Sequence, residues 1–174
     1  SQKKSENNNG SSNGRVIRLA VKKTYKMYVD GKFTRSESGR YFKFENKNGE
    51  IIANICRASR KDFRDAVVAA RKAQGDWSKK SAYNKAQIVY RIAEVLEGRK
   101  AQFTESFLLQ GLTQAKAEQE ITSAIDRLVY YAGWSDKYIQ LFSSVNPVES
   151  SHFNFSYPEP TGVVGIIAPE TSGL

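Results

Sequence analysis

Tyr157-Pro158-Glu159-Pro160-Thr161-Gly162-Val163-Val164-Gly165-Ile166-Ile167-Ala168-Pro169 decides how the chain is read, because no other segment has a composition that asks for burial on both faces. Neighbouring side chains of a strand alternate faces, so Val163, Val164, Ile166 and Ile167 would present apolar groups to both sides. Such a strand belongs inside a parallel sheet covered by helices. Gly162 and Gly165 leave room for a close backbone or ligand, while Pro158, Pro160 and Pro169 keep regular pairing short at both ends. A buried parallel strand that ends in a turn is where open α/β sheets hold their ligands. Leu174 follows Pro169 by only five residues, before the helix and next strand that such a unit needs. The segment is therefore expected to be the truncated first strand of a larger sheet.

Composition narrows the class. The 174 residues are 40% hydrophobic and 26% charged, the proportions of one globular domain or a large piece of one. A single cysteine excludes an internal disulfide framework and a cysteine-rich zinc site, and points to a reducing, cytoplasmic setting. No run approaches the roughly 20 apolar residues of a membrane span, and the N-terminus lacks the apolar core of a signal peptide. The Asn-X-Ser patterns at Asn9 and Asn154 are read as chance, since they matter only in a secreted protein. The net charge of +9 suggests a nucleic-acid partner until its distribution is considered. Residues 1–26 carry Lys3, Lys4, Arg15, Arg18, Lys22, Lys23 and Lys26 against Glu6 alone, leaving the body nearly balanced. That body has no one-sided basic stripe with interleaved aromatics, so nucleic-acid binding is not expected.

Along the chain, Ser1 to Gly14 has no apolar residue and is expected to be disordered. Residues 16–21 alternate as a short edge strand or docked arm would. Asp30-Gly31 between two short β-prone runs marks a tight hairpin, because both turn positions need positive φ. A second hairpin is expected from Tyr41–Phe44 and Ile51–Cys56 around the turn residues 46–49. Cys56 lies within that strand and reads as a small buried hydrophobe. Ser59-Arg60-Lys61-Asp62 has the form of a capping box, with Asp in place of Glu. Phe63, Ala66, Val67, Ala70, Ala73 and Trp77 then recur at helical spacing, opposite a solvated basic face of Arg60, Lys61, Arg64, Arg71 and Lys72.

A second helix over about 83–97 has a broad apolar surface, Ala86, Val89, Tyr90, Ala93 and Leu96 widened by Ile88, Ile92 and Val95, that should be buried between elements. Gly98 and Gly111 are expected to stop helices in the left-handed cap conformation on either side of a short helix over 103–110. A long helix from Gln114 carries Ala117, Ile121, Ala124, Leu128, Tyr131 or Ala132, Ser135, Tyr138 and Phe142, with a kink expected near Gly133. Tyr130, Tyr131, Trp134 and Tyr138 read as core rather than as a stacking platform. Residues 145–150, with Pro147, read as a connection, and 152–157 alternates again, with Phe153, Phe155 and Tyr157 on one face. His152, the only histidine, has no carboxylate or cysteine partner at a recognisable spacing and reads as an inert surface residue.

The residues themselves reveal no metal-ligand spacing, no catalytic triad order, no phosphate-binding loop and no paired carboxylates. Thr161-Gly162-Val163-Val164-Gly165 is too short for a dinucleotide fingerprint.

Pro158 to Pro169 nevertheless resembles the strand and turn that open the cofactor-binding core of the aldehyde dehydrogenase superfamily. The likeness reaches back through Ala69–Trp77 and Ala58–Val67 to Tyr28–Phe33. Lys23–Lys26 and Arg35–Arg40 also resemble the second, non-catalytic repeat of two-domain members. The resemblance implies an α/β chain, the N-terminal part of an aldehyde-dehydrogenase-like fold: β-hairpins, a helical layer, a bridging-sheet strand and the first strand of the cofactor-binding sheet. Its parts would be a flexible basic tail (1–24), a helical and hairpin part (25–150), a strand of the bridging, oligomer-forming sheet (151–159) and the truncated cofactor-cleft strand (160–174). Ile166, Ile167, Ala168 and Pro169 would line the NAD or NADP cleft, with Glu170 and Thr171 near the reacting carbonyl. The partners implied are a homo-oligomer or a catalytic copy, with an aldehyde as substrate of the complete protein.

In such a protein a cysteine thiolate attacks the aldehyde, hydride passes to NAD(P), and an activated water releases the acid; that cysteine and the general-base glutamate are expected beyond Leu174. One departure bears on this chemistry. Where the family usually has Trp-Asn-Phe-Pro, this chain has Glu170-Thr171-Ser172-Gly173. Thr171 offers a shorter hydroxyl in place of the oxyanion-binding amide, an interaction whose loss costs roughly 2.7–4 kcal/mol. The departure favours a non-catalytic module that serves assembly.

Overall fold

The structure is a computed structural model that describes residues 21–169 and 174. The tail expected over 1–24 lies outside the described residues up to residue 20, as does nearly all of the arm expected over 16–21. A short strand missed in the sequence follows: β1 (Thr24–Tyr25). It is too brief to show alternation.

Turn chemistry then lays out the strands. β2 (Met27–Val29) and β3 (Lys32–Thr34) pair antiparallel as expected. Asp30 and Gly31 take φ of 52° and 73°, the two positive values a type I′ turn requires. Tyr28 and Phe33 are cross-strand partners with ring centroids 5.1 Å apart. The second hairpin joins β4 (Tyr41–Glu45) to β5 (Ile51–Cys56), with a bulge at Phe44/Glu45. Its turn is closed by Asn46, whose side-chain oxygen accepts the backbone N–H groups of Asn48 and Glu50 at 2.9 and 3.0 Å. β1 adds to β5 in parallel, giving the sheet order β1-β5-β4.

Helices follow. α1 (Arg60–Ser78) starts at the capping box read from the sequence, with both reciprocal hydrogen bonds between Ser59 and Asp62 present. α2 (Ala82–Gly98) is capped by the Ser81 side chain, and α4 (Gln114–Trp134) by that of Thr113. Between them, α3 (Lys100–Leu109) begins almost without a break. Gly98 is the last residue of α2 and takes no left-handed conformation; Arg99, at φ −108°, carries the chain directly into the next helix. Gly111, at φ 90°, does take the positive φ expected of a glycine stop. The long helix breaks just after Gly133, and α5 (Tyr138–Phe142) resumes it for little more than a turn. The chain ends in a small antiparallel pair, β6 (Ser144–Val145) and β7 (Phe155–Ser156). The first of these falls where a plain connection is expected.

α2, α3 and α4 meet around Leu96, Phe107, Ala117 and Ile121, the last two fully buried at 0% exposure. Phe103, Leu112, Ala124, Ile125 and Leu128 pack against this cluster. Of the alternatives Tyr131 and Ala132, it is Ala132 that is buried. The remaining apolar faces differ from expectation. α1 buries no residue, and Phe63 and Trp77 are exposed. Ile88, Ile92 and Val95 of α2 stand in solvent, as do Tyr130, Tyr131 and Tyr138, which were expected in the core. Cys56 is half-buried rather than buried. The physical reason is common to all: each is apolar at helical or strand spacing, but only one side of the helical layer has described elements packed on it.

Because Ile121 has no exposure and sits between three helices, Ile121→Ala should remove about 2–5 kcal/mol of stability. Urea unfolding followed by far-UV circular dichroism measures the loss.

Candidate functional site

The site residues expected from the sequence lie at the end of the chain. Residues 157–169 join no strand ladder. Val164 is exposed, and Ile166 and Ile167 retain 88% and 98% of their accessible surface. Ala168 and Pro169 are exposed too, while Glu170 and Thr171 lie outside the described residues. A dinucleotide needs a concave site that encloses most of its surface. Ile166 to Pro169 offer one uncovered wall, so the described residues do not fit NAD(P) by themselves.

The other titratable and nucleophilic groups do not converge. Cys56 is held in β5 at the N-terminal end of the fold, and His152 is exposed, its Nδ1 3.3 Å from the Ser151 hydroxyl. No cluster of three metal-binding side chains exists among the described residues. An apolar groove of about 500 Å³ runs between α2 and α4, walled by Ile92, Val95, Leu96, Phe103, Leu128 and Tyr131. A second of similar size is lined by Tyr130, Tyr131, Trp134, Tyr138 and Phe142. Neither contains a nucleophile beside a base.

One side chain gathers polar contacts from several directions, and it is Asp62. The Ser36 hydroxyl donates to Asp62 Oδ2 at 2.6 Å, across 26 residues of sequence. The backbone N–H of Ser59 donates to the same oxygen at 2.7 Å, and that of Glu37 to Oδ1 at 3.1 Å. These donors, the Ser36 hydroxyl first, hold the carboxyl well below the usual carboxylate range. Glu37 also pairs with Lys61, which raises the lysine above its ordinary value. The capping box was legible in sequence; the donation from Ser36 was not, because no local spacing encodes a contact between a strand-connecting loop and a helix start.

At the far end, Phe153 and Phe155 lie 5.8 Å apart and, with Tyr157, remain exposed. The aromatic face expected there is present. Only Phe155–Ser156 of the alternating stretch pairs as strand, with Val145 opposite Phe155.

Comparison with known proteins places this geometry. The profile of the aldehyde dehydrogenase family matches residues 33–169. A Bacillus subtilis (strain 168) protein named as an aldehyde dehydrogenase, DhaS, is 38% identical over 154 residues, 84% of this chain and 30% of its own length. An aldehyde dehydrogenase from Bacillus cereus superposes with a TM-score of 0.70 at 26% identity, covering 76% of this chain and 27% of that one. An NAD-dependent aldehyde dehydrogenase from Sinorhizobium meliloti gives 0.67 at 29% identity, over 74% and 26% of the two chains. The chain thus spans less than a third of the length of the relatives it matches, and the α/β arrangement is that of their N-terminal part.

Two measurements check this reading of the site. Since Ile166 and Ile167 are already in solvent, the double change to Ser should leave the unfolding free energy of the 174-residue chain within about 0.5 kcal/mol of the parent, the range of neutral surface changes. Buried residues at those positions would instead lower it sharply. The second concerns pH. A carboxylate depressed in the fold stabilises above its unfolded value, about 3.9, and that contribution is lost as pH falls further. Asp62→Asn should therefore flatten the acid limb of the stability profile below about pH 4 and leave its shape near neutrality unchanged. Glu37, whose backbone N–H donates to Asp62, and Lys61, which pairs with Glu37, remain in both proteins.

Proposed function

The chain belongs to the aldehyde dehydrogenase family, and from that premise we propose that it is part of an NAD(P)-dependent oxidoreductase that converts an aldehyde to a carboxylic acid. The reading rests on one observation: the family match spans residues 33–169, from the first hairpin to Pro169. In the complete protein, Ile166, Ile167, Ala168 and Pro169 would give backbone and side-chain surface to one wall of the NAD or NADP cleft, with Glu170 and Thr171 beside the reacting carbonyl. NAD(P) supplies the hydride acceptor when bound; this chain's own part is to shape and dry one side of the cleft. The thiolate nucleophile and general base are assigned to sequence beyond Leu174. The hairpins and helices of 25–150 serve as the scaffold of that wall, and 151–159 supplies a strand of the bridging sheet through which copies pair. The aromatic face of Phe153, Phe155 and Tyr157 supports that pairing role.

A second reading is favoured by a specific observation. Glu170-Thr171-Ser172-Gly173 replaces the Trp-Asn-Phe-Pro phrase that the resemblance calls for. Under this reading the chain belongs to a non-catalytic copy that assembles with a catalytic one.

The downstream reading frame distinguishes the two: a cysteine in the reactive context of the family supports oxidation, and its absence supports assembly. For the 174-residue chain we expect no aldehyde-dependent formation of NADH and a mass by light scattering above that of a monomer, because its apolar terminal ribbon and aromatic face are uncovered. Turnover from a monodisperse monomer would overturn the assignment of the nucleophile and the pairing role together.

A further inference from the structure

α1 presents a mechanical difficulty. Its 19 residues include no fully buried side chain, Ala66, Val67 and Ala69 being only half-buried, and the element it chiefly approaches is β2. A helix attached so lightly should pivot about Arg57 and Ala58, the exposed residues that join it to β5. Yet its first turn is bound to the loop between β3 and β4 by contacts of another kind. Ser36, only 5% exposed, is one of the two buried polar residues of the described chain, and its hydroxyl is spent on Asp62. The backbone N–H of Glu37 takes the other carboxylate oxygen, and the Glu37 side chain reaches Lys61. Ser38 completes the loop side by lying 3.0 Å from the Ser36 hydroxyl.

We infer that the Ser36–Asp62 contact is a latch: it fixes the direction of α1 against the hairpin layer, so that the helix presents Phe63, Val67 and Trp77 in one orientation with only slight apolar packing to support it. Asp62 thus performs two separable tasks. Through Ser59 it starts the helix, and through Ser36 and Glu37 it aims it. The first is local in sequence and the second is not. A charged acceptor with several donors suits the aiming task, since such bonds are short, directional and stronger than those between neutral groups. The Gly39 N–H donates to the Ser36 carbonyl and closes the turn of the loop, and the Arg57 N–H donates to the Arg40 carbonyl and ties the loop's end to the chain leaving β5. The latch therefore connects the loop of the hairpin layer to a helix with few apolar contacts of its own.

The test separates aiming from capping. Spin labels at positions 43 and 72, on exposed sites of β4 and α1 in a Cys56→Ser background, report the distance between hairpin and helix. Ser36→Ala leaves the Ser59–Asp62 box intact and should broaden the distance distribution by about twofold or more, with helix content by circular dichroism unchanged. Asp62→Ala should broaden it at least as far, and adding Ser36→Ala to it should change nothing more. A distribution as narrow in Ser36→Ala as in the parent would overturn the latch. So would broadening that appears only with Asp62→Ala and in step with lost helix content, since capping alone would then account for it.

Discussion

The packing of α2 against α4 is the contact on which the rest of the fold depends. Small side chains make it possible: Ala93 on α2, and Ala117 and Ala132 on α4, are all buried and let the two helices approach along their length. Ile121 fills the space between them and α3, with Leu96 and Phe107 against it. Interdigitated ridges of this kind fix a helix pair in one register, because moving either helix would open voids that close-packed interiors do not tolerate. The sheet β1-β5-β4 leans on the same unit through α3: Phe103 and Phe107 face Tyr25, Phe44 and Ile55 across a cleft of about 380 Å³.

A layer of helices can bury one face on its own and needs a second layer for the other. That constraint explains which sequence signals were legible. Signals decided within a few residues came through: the two positive φ values at Asp30-Gly31, the Asn46 turn, the Ser59–Asp62 box and the break after Gly133 all depend on local sterics and hydrogen bonds. Helix periodicity was equally plain. What periodicity does not encode is which apolar residues find cover. Tyr130, Tyr131 and Tyr138 recur as core residues would, yet all three stay exposed, and Tyr131 borders the open groove between α2 and α4. Gly98 misled for a related reason. Glycine permits a left-handed cap, but α3 starts so soon after α2 that Arg99 continues in negative φ and the permission goes unused.

The candidate site shows the same division more sharply. The Val163-to-Ile167 ribbon was readable as an inner strand from its composition, but a strand is made by its neighbours' N–H and C=O groups, which no inspection of its own residues can supply. Fully covering a Val or Ile side chain is worth about 1.5–3 kcal/mol, so leaving Val164, Ile166 and Ile167 in water forgoes several kcal/mol that a sheet and its helices would return. Position in the family's order is legible in sequence; enclosure is a property of the surrounding chain.

Membership of a family therefore constrains the two halves of the problem unequally. Folds persist through many exchanges of side chains, because hydrophobic pattern and turn chemistry are tolerant, whereas a reaction depends on a few atoms held within tenths of an ångström. This chain keeps the tolerant part: hairpins, caps, helical spacing and the glycine-punctuated ribbon. By the resemblance, it departs at the intolerant part, where Thr171 would stand in place of an amide. A threonine hydroxyl ends closer to its own backbone than an asparagine amide nitrogen does, so a developing oxyanion would have to sit nearer the main chain to accept from it. Its single proton can also be drawn to other acceptors, which an amide with two N–H groups is better able to satisfy at the same time. Under the proposed oxidation, another donor would have to reach the oxyanion in the complete protein. Without one, the second proposed reading applies: the sequence order that makes the chain recognisable would serve assembly, and the tolerance of the fold to that loss would allow such a copy to persist.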